Sequence, residues 1–149
     1  MNFWLRKNGG KIYLADDIHL SYYCRDSIKG ISSMAIKNGM WNVITMKLCP
    51  GSMGLRHFIP LLFVMSIILL GGLGFVVPIF WHCLAAEMSL YLLLDIIFSA
   101  KQASKVSEFF ALLILFPIFH ISYGIGSLLG IGKLFSKKFR KGNYVNKKI

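Results

Sequence analysis

Two carboxylates and a histidine fall inside stretches that are otherwise apolar: Glu87 and Asp95 in one, His120 in the next. Ionisable groups are costly at membrane depth, so each is by default a point of substrate or proton contact. A structural role competes with that reading. Asp95 falls near the end of its stretch, within reach of an interface, and Glu87 has His82 or a neighbouring helix as a partner. His120 alone is not a metal site. The cysteines Cys24, Cys49 and Cys83 are odd in number and lack the spacing of a disulfide framework or metal cluster, so packing is their default role. A second kind of chemistry is offered upstream, where Lys37 and Lys47 can reach headgroup phosphates and Trp41 can anchor at headgroup level. Residue types and spacing yield no catalytic set and no metal set.

The elements that must position these groups follow from one apolar block, residues 58–132, broken only by a polar patch at 101–108. A soluble domain would have to bury that block, and the remaining residues are too few and too polar to wrap it. A spanning helix takes about 20 mostly apolar residues. The block divides into three such lengths, residues 58–77, 79–100 and 109–131. At 149 residues with 56% hydrophobic content, the chain holds one small membrane domain. Its mean hydropathy is +0.62. The net charge of +11 lies almost entirely outside the block, whose formal charges are Glu87, Asp95, Lys101, Lys105 and Glu108. That distribution suits a bilayer with anionic headgroups. Nucleic acid is not the partner expected, because no nucleic-acid motif accompanies the basic residues. Residues 1–5 are not followed by an apolar core, so no cleavable signal peptide is read and the first span serves as its own membrane signal.

Within the block, Pro60 sits where a missing amide donor does little harm, and Gly71, Gly72, Gly74 and Pro78 give a tight turn toward the second span. The third span carries Pro117, then Ser122, Tyr123, Gly124, Gly126 and Gly130. Small residues at this density permit close helix packing, and a kinked packing helix is preferred to a transport pathway.

Ahead of the block, residues 2–7 read as the last turns of a helix closed by a left-handed glycine cap at Asn8, Gly9 and Gly10. Residues 11–14 and 18–23 read as two short strands with a turn at Ala15, Asp16 and Asp17. A two-stranded unit is not independently stable, so this portion reads as a remnant that needs a larger domain. Asp26 or Ser27 can cap a helix with Ile28, Ile31 and Ala35 on one side and Lys29, Ser33 and Lys37 on the other. Trp41, Ile44 and Leu48 continue its apolar spacing, which suggests an amphipathic helix at the membrane surface; a soluble helix packed on the larger domain fits the periodicity equally. Residues 133–149 form a basic tail. Three spans put the two basic ends on opposite sides, against the positive-inside tendency. Either one segment is re-entrant or interfacial, or the tail with Lys137, Lys138, Arg140 and Lys141 is translocated.

The run NFWLRKNGGKIYLADDIHLSYYCRDSIKGISSMAIKNGMWNV resembles the end of the catalytic domain in membrane-anchored family 2 glycosyltransferases, especially the type that makes succinoglycan and related exopolysaccharides. The matching features are a helix like Asn2 to Gly10, two strands with an aromatic pair like Tyr22 and Tyr23, and an Arg-x-Ser pattern like Arg25 to Ser27. A surface helix ending in Gly-x-Trp follows, as at Gly39 to Trp41, and HISYGIG at residues 120–126 is similar to the family's last membrane helix. The family's nucleotide-sugar half, its Asp-x-Asp metal motif and its catalytic acidic pair would all lie before Met1. Asp16 and Asp17 fall in a turn and do not replace them. The Arg-Gln often found before the tryptophan is here Ser33 and Met34.

The resemblance implies a mainly α integral membrane chain, with three apolar helices preceded by an amphipathic interface helix and a short α/β remnant of a GT-A-type catalytic domain. Its parts would be residues 1–26 (catalytic-domain remnant), 27–56 (interface helix and linker), 57–132 (membrane region) and 133–149 (tail). It implies the membrane anchor and acceptor-side portion of an enzyme moving a sugar from a nucleotide donor to a lipid-linked or polysaccharide acceptor, inactive alone. Lys37, Gly39 and Trp41 are then the acceptor-side residues, and Glu87, Asp95 and His120 the intramembrane polar ones. Magnesium or manganese is expected for the complete enzyme, and a separately encoded catalytic half is a possible partner. The site implied is the inner (plasma) membrane, multi-pass, with the N-terminal portion cytoplasmic. The competing expectation is a small non-enzymatic membrane protein, a transport component or assembly partner.

Overall fold

The computed structural model describes residues 2–13, 15 and 17–136. These form α1 (Asn2–Lys7), α2 (Ile28–Leu48), a 3-10 turn (Leu55–Phe58), α3 (Ile59–Gly74), α4 (Ile79–Gln102) and α5 (Val106–Phe135). The chain is mainly α, as its sequence implies.

The glycine cap after α1 forms as expected. Gly9 takes φ +79°, and the Gly10 amide donates to the Leu5 carbonyl at 2.8 Å while the Gly9 amide donates to Arg6 at 3.1 Å. This pair of bonds is the Schellman closure, which satisfies carbonyls the helix end leaves open. The strand pair expected next does not form: no strand occurs among the described residues. Ile12, Tyr13, Leu20, Tyr22 and Tyr23 are exposed. Two short segments with no third strand or helix beneath them bury too little to hold a ladder. The expected α/β remnant is therefore absent from the described fold, with Leu14, Asp16 and the basic tail from Lys137 onward outside the described residues.

α2 starts at Ser27, whose hydroxyl oxygen accepts the Gly30 amide at 3.2 Å. The face it buries coincides only in part with the one that apolar spacing picks out, at Ala35 and Ile44. Ile28, Trp41 and Leu48 point outward, while Ala35, Gly39, Val43 and Ile44 are buried. The partner is α5, against which α2 makes the most extensive contact between any two elements. A Cβ at Gly126 would overlap the Ile36 carbonyl, one at Gly39 would overlap the Tyr123 carbonyl, and one at Gly130 would come within 2.8 Å of the Met40 carbonyl. Contacts advance together along both chains, so α2 and α5 run in the same sense. Gly126 and Gly130 are a GxxxG pair, the spacing that lets two helix backbones touch.

Three helices are long and apolar enough to cross a membrane: Leu55–Gly74 with 20 residues, Ile79–Gln102 with 24 and Val106–Phe135 with 30. They correspond to the three expected spans with shifted ends. Their outward faces carry Leu62, Ile68, Leu90, Phe98 and Phe110, all exposed. A surface this apolar belongs in lipid. Their contacts are made instead by small and hydroxyl-bearing residues, including Gly74, Ser99, Gly124, Gly126 and Ser127. The turn after α3 is closed by the Val77 amide on the Leu73 carbonyl at 2.9 Å. Trp81 folds back over Gly74, where a Cβ would meet its ring at 2.8 Å. α4 and α5 follow as an antiparallel hairpin whose turn is held by Glu108, which accepts the Ser104 amide at 2.9 Å. α5 touches all three other long helices and is the hub of the bundle.

Gly126→Leu is expected to cost about 1–3 kcal/mol, because the atom it meets is backbone and has no rotamer to escape into. Gly72→Ala, with nothing within 4 Å, is expected to be neutral or to stabilise by about 0.5–1 kcal/mol through helix propensity. Reversible denaturation in mixed micelles checks both; equal effects would deny the close approach of α2 and α5.

Candidate functional site

The residues singled out by sequence fall into two places on either side of α5. The first is the seam with α2. Gly39 lies inside it, facing Tyr123 and Ser127, and the Ser127 hydroxyl sits 3.3 Å from the Gly39 carbonyl and 3.1 Å from the Tyr123 carbonyl. One hydroxyl proton is thus shared between two acceptors across the seam. Asn42 Nδ2 donates to the Tyr123 hydroxyl, fixing α2 in rotation as well as in distance. Lys37 and Trp41, one helical turn apart, share the opposite face of α2 and are exposed. Gly39 is therefore a packing residue, and Lys37 and Trp41 are the pair available to anything outside. Lys37 lines a shallow groove of 350 Å3 with Arg25, Gly30, Ser33, Met34 and Asn38.

The second place holds the intramembrane polar groups, but not as one cluster. Glu87 lies in the seam between α3 and α4, where the Ser66 hydroxyl meets its Oε1 at 2.5 Å. His82, the partner considered from sequence, is exposed. Ser66 also lies 2.8 Å from the Phe63 carbonyl, so its single proton faces two acceptors. Glu87 Oε2 is buried without a partner.

Asp95 is placed differently from the expectation that it reaches an interface: it is 5% exposed. Its Oδ1 has only a long contact to the Ser99 hydroxyl, 3.4 Å, and its Oδ2 is buried without a partner. The reason lies in the pairing of the helices. Phe63 stacks on Tyr91 with ring centroids 4.5 Å apart, so α3 begins beside the last third of α4. The ends of α4 and α5 run on past it, and Asp95 is enclosed where the three meet. His120 faces the same space. Its Nδ1 lies 3.1 Å from the Tyr91 hydroxyl and 3.0 Å from the Phe116 carbonyl, a position where either tautomer finds one partner. Tyr91, Asp95, Gln102 and His120 form the polar part of the lining of a 570 Å3 cleft.

Among the described residues no group of three or more metal-ligating side chains converges. Sequence reasoning did not find Ser66, Tyr91, Asn42 or Tyr123 as partners. The signal for Tyr91 and Ser99 was present, since each stands one turn from Asp95 on α4; that for Asn42 and Tyr123 was not, since their meeting depends on the α2–α5 register. Comparison of the chain with protein-family models, with curated proteins and with solved structures returns no match.

Ser66→Ala is expected to destabilise the bundle by about 1–3 kcal/mol, because it leaves both oxygens of Glu87 without a partner. Adding Glu87→Leu to that variant is expected to restore or exceed the original stability, as replacing both members of a buried polar pair commonly does. Thermal unfolding of the single and double variants in detergent checks this; a double variant as weak as the single one would mean that Glu87 holds the bundle by other contacts.

Proposed function

We propose that this chain is the membrane anchor and acceptor-side portion of a family 2 glycosyltransferase, which transfers a sugar from a nucleotide donor to a lipid-linked or polysaccharide acceptor. Donor binding, the divalent metal that offsets diphosphate charge and the carboxylate acting as general base are assigned to a catalytic domain outside these residues. The membrane is the inner (plasma) membrane, with the N-terminal portion cytoplasmic. The observation that carries this reading is the meeting of the two segments behind the resemblance. Gly39, from the Gly-x-Trp at residues 39–41, is packed against Tyr123 of HISYGIG, and Asn42 bonds to the same tyrosine. Packing of these two segments lets one hold the other in place beside an acceptor path. That packing turns Lys37 and Trp41 outward, where a phosphate-bearing acceptor or headgroup is met.

A second reading, a small non-enzymatic integral membrane protein, has one observation in its favour: α2 finds its packing partner within this chain and needs no further domain to cover its buried face.

Reading the DNA immediately upstream of the Met1 codon in all three forward frames is the direct test. An Asp-x-Asp domain closing on an acidic pair beside Met1 is expected; without one the chain is an isolated relic or a membrane protein in its own right, and hydrogen exchange decides. Purified chain given nucleotide sugars, metal and lipid acceptor is expected to show no turnover; turnover would put the chemistry in these residues instead.

Hydrogen exchange in detergent separates the two readings from another side. Residues 17–23 are expected to exchange at nearly the unprotected rate while residues 35–44 are slow. Strong protection of 17–23 in the isolated chain favours the non-enzymatic reading.

A further inference from the structure

The cleft between α3, α4 and α5 is walled by Ile59, Phe63, Leu94, Phe98 and Phe116, and at 570 Å3 it has the size of a small-molecule site. Three of those walls, Ile59, Leu94 and Phe98, are also exposed on the surface that faces the bilayer. An occupant therefore comes from the lipid phase, where an apolar chain already has its solvent. At the inner end stands Asp95, nineteen-twentieths buried, with Oδ2 unpartnered. A carboxyl oxygen held in an apolar cavity without a partner costs several kcal/mol. The neighbouring polar groups do not relieve it. The Tyr91 hydroxyl lies against His120 Nδ1, which also meets the Phe116 carbonyl; neither bonds to Oδ2, and the Ser99 contact falls on the other oxygen.

We infer that this cleft binds an uncharged lipid whose polar end is a hydroxyl, with the hydroxyl donating to Asp95 Oδ2 and the chains lying along the Phe98 and Phe116 walls. The choice of headgroup follows from charge. None of the described residues lining the cleft is a lysine or arginine, so a lipid phosphate would be brought against a carboxylate with only the His120 imidazole near it. Zwitterionic headgroups carry the same phosphate beside their ammonium group. A hydroxyl supplies the donor that Asp95 lacks and brings no charge. The site stands apart from the glycosyltransferase reading, and its occupancy does not depend on whether the chain belongs to such an enzyme.

The test uses the full chain in phosphatidylcholine nanodiscs with two photoreactive probes of identical chains, a diazirine diacylglycerol and a diazirine phosphatidic acid, with labelled peptides identified by mass spectrometry. The diacylglycerol is expected to label α4 and α5 around Phe98 and Phe116, and the phosphatidic acid about tenfold less, equivalent to about 1.4 kcal/mol, because its phosphate meets the Asp95 carboxylate. Asp95→Leu is expected to lower diacylglycerol labelling by a similar factor. Leu94→Trp fills the cleft and leaves Asp95 in place, so it gives an independent reading where Asp95→Leu fails to fold; it too is expected to abolish labelling. Leu62→Trp, on the outer face of α3, is the control and should change nothing. Equal labelling by the two probes, or undiminished labelling in a helical Asp95→Leu protein, overturns the proposal, as does undiminished labelling in Leu94→Trp.

Discussion

The fold depends on one close approach, that of the α2 backbone to the α5 backbone at Gly39, Gly126 and Gly130. α5 is a candidate membrane span, and for a helix in lipid apolar content alone gives no reason to associate, because a hydrocarbon tail is as good a neighbour as a leucine. What remains is dispersion between atoms in contact and hydrogen bonds across the seam, and both require the axes to come together. Glycines supply that. With Ile36, Met40 and the Tyr123 carbonyl against positions that have no Cβ, only one register lets all three contacts form. Asn42 and Tyr123 then fix the rotation. Because α5 is also the neighbour of α3 and α4, the seam sets the frame for the rest.

From that frame follow the two environments that matter for function. Burying Gly39 turns Lys37 and Trp41 away from the bundle, since residues two apart on a helix lie on nearly opposite sides. One stripe of α2 is thus committed to packing and the other to whatever lies outside. The carboxylates part company for a different reason. Glu87 lies where α3 and α4 run side by side, and a serine from the facing helix reaches it. Asp95 lies where α3 is only beginning, so no facing side chain arrives and its second oxygen is left to the cleft.

The spans were legible because length and apolar content alone define them, and packing moved only their ends: the first gained the 3-10 turn at Leu55–Phe58, and the third grew to Val106–Phe135. The cap at Gly9 and Gly10 was legible because it is local. The buried face of α2 was legible only in part. Apolar spacing scores Ile28, Trp41 and Leu48 beside Ala35 and Ile44 and passes over Gly39, whereas close helix packing rewards small residues that the score treats as blank. The same blindness hid the role of Tyr123. The strands expected at 11–14 and 18–23 were read from β-branched and aromatic content, which describes a surface suited to pairing and says nothing of whether a partner is there. Asp95 was placed at an interface because it stands near the end of a span; sequence position along α4 carries no information on where α3 begins beside it.

The seam and the cleft share α5, and their separation along it is short. Gly126 takes the Ile36 carbonyl on one side, while Gly124, two residues earlier, takes the Pro60 carbonyl and Val64 on the other. Pro60 adjoins Ile59, which walls the cleft. His120, one turn before Gly124, faces Asp95. The contacts to the Ile36 and Pro60 carbonyls are backbone against a missing Cβ, the kind that has no side chain to absorb a shift. Tyr123 and Gly124 are adjacent on α5, so the residue that meets α2 and the one that meets the start of α3 are held by the same turn of helix. The glycines that allow the bundle to close thus serve both sides of α5, Gly126 toward α2 and Gly124 toward α3 beside the cleft.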